Sequence, residues 1–358
     1  AAHQLAKNTR LLCQWATCTG KSGVALRFLQ DNPGMDCLIL VPEQNNISNW
    51  EEEFRKFNVS MENVTIACYA SFRKYSNTKW DLLVFDEVPH IDTELRRAVC
   101  ETVRGEFILA LGAVVDEQEM DALNQAYGKF PVSTVTLTQG IEWGIIPKPL
   151  VCIVHLSLDD KKKTFWYCGS RITAKEKYNQ ILKTVELAKE EYENSPSGYT
   201  RQKMLRAGNV RKRFLGEIKQ EAVLKLCEKL NENKRRYLCF CASIKQAITI
   251  GKENAYTSKT PKCDRILQKF NAGEINSLFA VSKLIEGQNL VNIERGIITQ
   301  LGGTPRITVQ MIGRILRSKN PIIYIPVFDD TKDDGFLWTV TANIPEDCIK
   351  HYNSKSLF

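Results

Sequence analysis

Short, continuously apolar, β-rich runs punctuate this chain in two separate sets. The first set lies at 37–41, 64–68, 82–85 and 107–111, and the second at 237–241, 277–281, 296–299 and 322–325. Longer polar or amphipathic stretches of helical length separate the runs. A strand that is apolar at every position has no face left for water. Such strands belong to parallel sheets covered by helices on both sides. Two sets therefore predict two parallel-sheet α/β domains in tandem, and 358 residues are enough chain for two domains of ordinary size.

Between the sets the pattern changes. Tyr178, Ile181, Leu182, Val185, Ala188 and Tyr192 recur at helical spacing until Ser195, Pro196, Ser197 and Gly198 interrupt them. More basic helical sequence runs on to about residue 233. Residues 161–236 hold 20 Lys and Arg against 9 Asp and Glu, whereas the whole chain carries a net charge of +8. A block this basic suits a polyanion, although a solvated helical face has the same composition. The expected division is 1–150 for the first domain, 151–220 for a crossover strand with a basic helical connector, 221–330 for the second domain, and an unassigned extension over 331–358.

Composition excludes several classes. Hydrophobic residues make up 43% and charged residues 25%, values of a globular protein. No apolar run is long enough to span a bilayer, and the start, Ala1-Ala2-His3-Gln4, is not of signal-peptide type. It also lacks an initiator Met, which fits a fragment or a processed form. The twelve cysteines contain no C-x-x-C pair and the four histidines do not cluster, so buried reduced thiols in a cytoplasmic protein are expected.

Three constellations carry chemistry. The first is Ala16-Thr17-Cys18-Thr19-Gly20-Lys21-Ser22. A loop that ends Gly-Lys-Ser before a helix points backbone N–H groups at a phosphate, with Lys21 neutralising the β and γ oxygens and Ser22 a ligand for Mg²⁺. The second is an apolar strand that ends in Asp86 and Glu87. Asp86 is placed to hold Mg²⁺ through water, and Glu87 to orient the attacking water. The third is Gln310-Met-Ile-Gly313-Arg314-Ile-Leu-Arg317, read as a helix with both guanidinium groups on one side.

In this order and spacing the three resemble the motifs of superfamily 2 helicases and translocases, and supporting segments extend the resemblance over about residues 1–327. Pro42 and Trp50 resemble the motif that touches the nucleic-acid backbone, and Tyr69 and Ser71 the segment ahead of the acidic pair. Ser243 resembles a residue of motif four. Lys283, Glu286 and Gly287 resemble motif five, where Glu286 and Gly287 lie between ATP and nucleic acid. Gln4 stands in for an upstream glutamine that reads adenine.

The resemblance implies two RecA-like domains that close on one ATP with Mg²⁺. Arg314 and Arg317 then reach the γ-phosphate, Gln310 joins the catalytic group, and Thr17, Cys18 and Thr19 line the phosphate loop. It implies a nucleic-acid-stimulated ATPase that steps along a strand, with DNA favoured over RNA. Arg211, Lys212 and Arg213 add phosphate contacts, and replication, recombination or repair proteins are natural partners. The likeness to phage recombination helicases also admits a viral origin. Three departures keep a second reading open, that of a non-hydrolysing nucleic-acid clamp. Cys18 replaces a glycine of the phosphate loop, Pro89 displaces His90 in the acidic motif, and Gly112 removes a hydroxyl. If the glycine position needs positive φ, Cys18 is strained there.

Overall fold

The computed structural model describes residues 1–88, 93–281, 290, 292–302, 305–342 and 344–354, with 93–97, 305 and 306 described by backbone alone. The chain divides after Ile146 into two compact units. Each is built on a parallel sheet, as the two sets of apolar runs predict.

The first unit holds a six-stranded sheet in the order β3 (Val64–Cys68), β2 (Cys37–Val41), β4 (Lys79–Phe85), β5 (Arg104–Gly112), β1 (Arg10–Trp15) and β6 (Val132–Val135). Every pairing is parallel. Alternate residues of these strands enter opposite cores, the direct consequence of the two-residue period of a strand. Leu12, Leu40, Phe85 and Ile108 meet α4 (Thr93–Thr102), α5 (Glu117–Tyr127) and the 3₁₀ turn Tyr69–Tyr75. Cys13, Ile39, Val84 and Leu109 meet α1 (Ala2–Asn8), α2 (Ser22–Asp31) and α3 (Gln44–Lys56). The central run 37–41 is buried at every position because both faces are covered.

The second unit holds a seven-stranded sheet, also parallel throughout: β11 (Ala255–Tyr256), β12 (Ser277–Ala280), β10 (Tyr237–Phe240), β13 (Arg295–Ile298), β14 (Ile322–Phe328), β7 (Leu150–Leu156) and β15 (Ile349–Asn353). The stretch 151–220, expected as a connector, is built into this unit. Its strand β7 lies between β14 and β15, and its helices α7 (Ala174–Asn194) and α8 (Gly198–Ile218) form an antiparallel pair joined at the Ser-Pro-Ser-Gly break. The described part of the extension, 331–342 and 344–354, belongs to this unit as well. Its helix α13 (Lys332–Thr341) follows β14, and β15 pairs with β7 over five registered positions.

One buried ion pair ties that extension to the helices. Lys219, between α8 and α9 (Gln220–Glu232), places its Nζ 2.7 Å from Asp333 Oδ2 of α13, with the side chains 0% and 3% exposed. The ammonium also donates to the Thr299 carbonyl at 3.0 Å, and the carboxylate accepts from the Phe328 N–H at 3.2 Å. Removing one partner of such a pair leaves an uncompensated charge in the core. Asp333→Ala is therefore expected to destabilise the protein by about 3–5 kcal/mol in urea denaturation followed by circular dichroism. The double change Lys219→Met with Asp333→Leu should recover most of that loss. Wild-type stability of Asp333→Ala alone would show that the pair carries no net weight.

Candidate nucleotide and nucleic-acid site

The phosphate-loop candidate leaves the sheet at Trp15, the last residue of β1, and enters α2 at Ser22. Two left-handed residues make the turn: Cys18 at φ 66° and Gly20 at φ 78°. Gly20 adopts this region without cost, and a Cβ there would meet nothing within 4 Å. Cys18 does have a Cβ, so the strain expected at this position is present. Thr19 closes the loop by donating its hydroxyl to the Ala16 carbonyl at 2.6 Å, while Thr17 stays half-buried. Lys21 Nζ donates to the Trp15 carbonyl at 3.2 Å, which folds the ammonium back over the loop. The Ser22 hydroxyl donates to Glu53 Oε2 of α3 at 3.3 Å.

Asp86 and Glu87 follow β4 directly. The Asp86 N–H donates to the Leu40 carbonyl at 2.9 Å, which continues the ladder one residue past the strand. Its carboxylate accepts from the Trp50 indole N–H at 2.8 Å, and its carbonyl accepts from the Tyr69 hydroxyl at 2.8 Å. Burial, and then the charge of Glu87, push the Asp86 carboxyl up to about 6. The Trp50 hydrogen bond and the Lys21 charge oppose that rise, so Lys21 and Asp86 are electrostatic neighbours. Glu87 sits at φ 51°, a left-handed position that turns the chain sharply away from the strand.

Two expected nucleic-acid contacts are corrected here. Trp50 is 3% exposed and Tyr69 2% exposed. Both side chains face inward and hold Asp86 from two directions, so neither can touch a strand. Pro42, just past β2, and Ser71, in the 3₁₀ turn, remain half-buried near the same edge of the sheet. Gln4 is exposed on α1, where its carbonyl accepts from the Asn8 side chain at 2.9 Å.

In the second unit Ser243 caps α10 (Ile244–Gly251), its hydroxyl accepting from the Gln246 N–H at 3.2 Å. Gln310 is buried and Arg314 half-buried on α12 (Pro305–Ile315). The helix ends at Ile315, so Arg317 lies in the following turn rather than on the helix, and it is exposed. Pro321 keeps helix from continuing past Asn320 but does not set the end at Ile315. Arg211 of α8 is half-buried. Its guanidinium lies 5.4 Å from the Phe336 ring centre and its Nε is buried without a partner. Lys212 is half-buried and burial lowers its ammonium, while Arg213 is exposed. Pro89, His90, Lys283, Glu286 and Gly287 lie outside the described residues.

Sequence reasoning missed Glu53 altogether and gave Trp50 a different role. Both lie on α3, four or fewer residues apart, but their partners Ser22 and Asp86 are brought to them only through the sheet. No spacing in the sequence encodes those contacts.

Two parallel α/β units, the first with its Gly-Lys-Ser loop after β1 and its paired carboxylates after β4, on the far side of β5, are the arrangement that the motif resemblance implies. The comparisons agree. Residues 218–319 match the helicase conserved C-terminal domain. A DNA 3′–5′ translocase, XPB2 of Sulfurisphaera tokodaii, is 25% identical over 346 residues, covering 88% of this chain and 76% of the relative. The crystal structure of the Pyrococcus furiosus Hef helicase domain superposes with a TM-score of 0.58 at 13% identity, covering 94% of this chain and 96% of that one. These matches support a superfamily 2 helicase or translocase, the resemblance carried by the motifs.

Asp86 yields a stability prediction. Its folded carboxyl holds a proton more tightly than an unfolded one, whose ordinary value is 3.8, so ionisation disfavours the folded, nucleotide-free protein. Stability should rise as pH falls through about 6 toward 4. Asp86→Asn should therefore raise Tm at neutral pH and leave it unchanged at the acid end of that window. Trp50→Phe removes the donor and should lower Tm at neutral pH. A neutral-pH Tm that falls in Asp86→Asn would contradict this account of the carboxylate.

Proposed function

We propose that this protein is an ATP-driven motor that translocates on DNA, hydrolysing ATP bound at the phosphate loop of its first unit. The observation that carries this reading is the convergence of Lys21, Ser22 and Asp86 at one edge of a parallel sheet. The Asp86 carboxyl feels the charge of Lys21, and both Ser22 and Asp86 bond to α3. The presence of a helicase C-terminal domain in the second unit and the likeness to a DNA translocase extend the reading from nucleotide hydrolysis to a nucleic-acid motor.

The residues present fit ATP and Mg²⁺. Gly20 leaves open space beside the loop, and α2 begins directly after it at Ser22. Ser22, Glu53, Asp86 and Glu87 offer hard oxygen atoms, the kind Mg²⁺ accepts. Among the described residues no group of three or more His, Cys, Asp or Glu could hold a metal ion. That suits Mg²⁺, which keeps waters and substrate phosphates in its shell and takes one or two protein ligands. When bound, the ion neutralises charge on the transferring phosphoryl group. With ATP bound, Lys21 would neutralise the β and γ oxygens, Asp86 and Ser22 would hold the ion, and Glu87 would orient water. Arg314 and Arg317 keep the role the resemblance gives them, stabilising negative charge on the γ-phosphate.

A second reading rests on Cys18. Its left-handed conformation strains the loop, and a loop that never binds ATP productively would make the chain a nucleic-acid clamp. Turnover decides between them. DNA-stimulated ATP hydrolysis is expected in the wild type. Lys21→Ala should abolish it, and Glu87→Gln should retain nucleotide binding while losing turnover. Arg317→Ala should lower kcat by about 10³- to 10⁵-fold with a modest change in nucleotide affinity and an unchanged Tm. Arg317→Lys should not restore it, because a point charge lacks the planar fork. Wild-type protein that binds DNA without hydrolysing ATP would replace the motor with the clamp.

A further inference from the structure

The basic sequence between β7 and α7 folds into a small hairpin outside both main sheets. Strands β8 (Phe165–Tyr167) and β9 (Ser170–Ile172) pair antiparallel. Cys168 at φ 45° and Gly169 at φ 80° form the two-residue turn with both φ positive, the geometry that matches strand twist. The register sorts the side chains. Phe165 faces Ile172 and both are half-buried, with the Phe165 ring edge-on to Phe214 of α8 at 5.4 Å. This face roots the hairpin on the helices.

The opposite face is turned outward. Trp166 is 66% exposed and pairs across the strands with Arg171, whose guanidinium lies 5.4 Å from the indole centre. Tyr167 returns to the face of Phe165, where Lys177 Nζ of α7 lies 4.9 Å from its ring. The exposed run Lys161, Lys162 and Lys163 leads into the first strand. Three acids lie nearby: Asp160 is exposed beside Lys161, and Asp159 and Glu176 are bonded to backbone and also feel the charges of the lysine run. Asp159 accepts from the N–H groups of Lys161 and Lys162, both at 2.9 Å, and Glu176 accepts from the Thr173 N–H at 2.8 Å. These bonds hold the lysine run at the root of the hairpin and hold the start of α7.

We infer that this hairpin is a contact for single-stranded nucleic acid, with Trp166 stacking on a base and Lys161, Lys162 and Lys163 holding neighbouring phosphates. A flat, solvent-facing ring beside a lysine run complements a base and its charged backbone, and every base offers a π-face irrespective of sequence. Arg171, stacked on the indole, keeps the ring standing from the strand and adds a cation at the same place. The inference rests on the proposed action on nucleic acid, but it assigns the contact to residues outside every motif of that reading.

The test measures binding of a fluorescently labelled oligo-dT strand to the full chain by anisotropy, over a series of salt concentrations. Trp166→Ala and Trp166→Leu should each weaken binding by about 5- to 100-fold with the salt slope unchanged, and Trp166→Phe should retain most of it. Replacing Lys161, Lys162 and Lys163 together by Ala should reduce the slope of log K against log salt by about 0.7 for each lost phosphate contact. ATP turnover without nucleic acid and Tm should be unchanged in all four variants, because the hairpin lies in the second unit and contributes no residue to the nucleotide candidate. Wild-type binding that Trp166→Ala and the triple variant both reproduce would overturn the inference while leaving the motor intact. Absence of any nucleic-acid binding by the wild type would instead overturn the motor reading itself.

Discussion

Both main sheets are parallel throughout, and that constraint decides where everything else can lie. Parallel strands need a crossover after each strand, so their C-terminal ends collect along one edge and the helices cover both faces. In the first unit, Trp15, Val41, Phe85 and Gly112 end their strands at that common edge. The phosphate loop, Pro42 and the Asp86–Glu87 pair begin where those strands stop. The site is thus a product of strand direction before any side chain is chosen.

Side chains then set the electrostatics of that edge. Asp86 is costly as a buried anion, and the structure offsets part of that cost with the Trp50 indole and the Lys21 charge. Tyr69, whose phenol burial pushes well above its ordinary range, holds the Asp86 carbonyl in the same way. Trp50 serves the carboxylate and Tyr69 the backbone carbonyl of Asp86, both from inside the core. An inward-facing donor is more precise than a surface contact, because packing fixes its rotamer. Cys18 and Glu87, both left-handed, show that the backbone at this edge is held in conformations it would not choose alone.

The second unit solves a different problem. Its sheet is assembled from segments far apart in sequence, with β7, from before the helical pair, lying between β14 and β15. The buried Lys219–Asp333 pair joins the end of α8 to α13, and Gln246 donates to the Gly216 carbonyl at 2.9 Å nearby. Polar contacts of this kind specify which helix packs where, a task that apolar burial alone leaves loosely defined. Among the described residues no helix is long and apolar enough to cross a membrane.

The sequence by itself determined the two parallel α/β units, because an apolar run buried on both faces has few other places to go. It also located the loop 16–22, the carboxylates 86 and 87 and the arginine segment 310–317, since each depends on neighbours along the chain. The left-handed strain at Cys18 was legible for the same reason. Tertiary structure alone decided that Trp50 and Tyr69 serve Asp86 rather than a nucleic-acid strand, that Glu53 meets Ser22, that Arg211 packs on Phe336, and that residues 331–354 complete a sheet. Each of these is a contact between residues distant in sequence, and periodicity reports which face of an element is buried but not which element will cover it. The end of α12 at Ile315, before Arg317, was likewise decided by the tertiary structure.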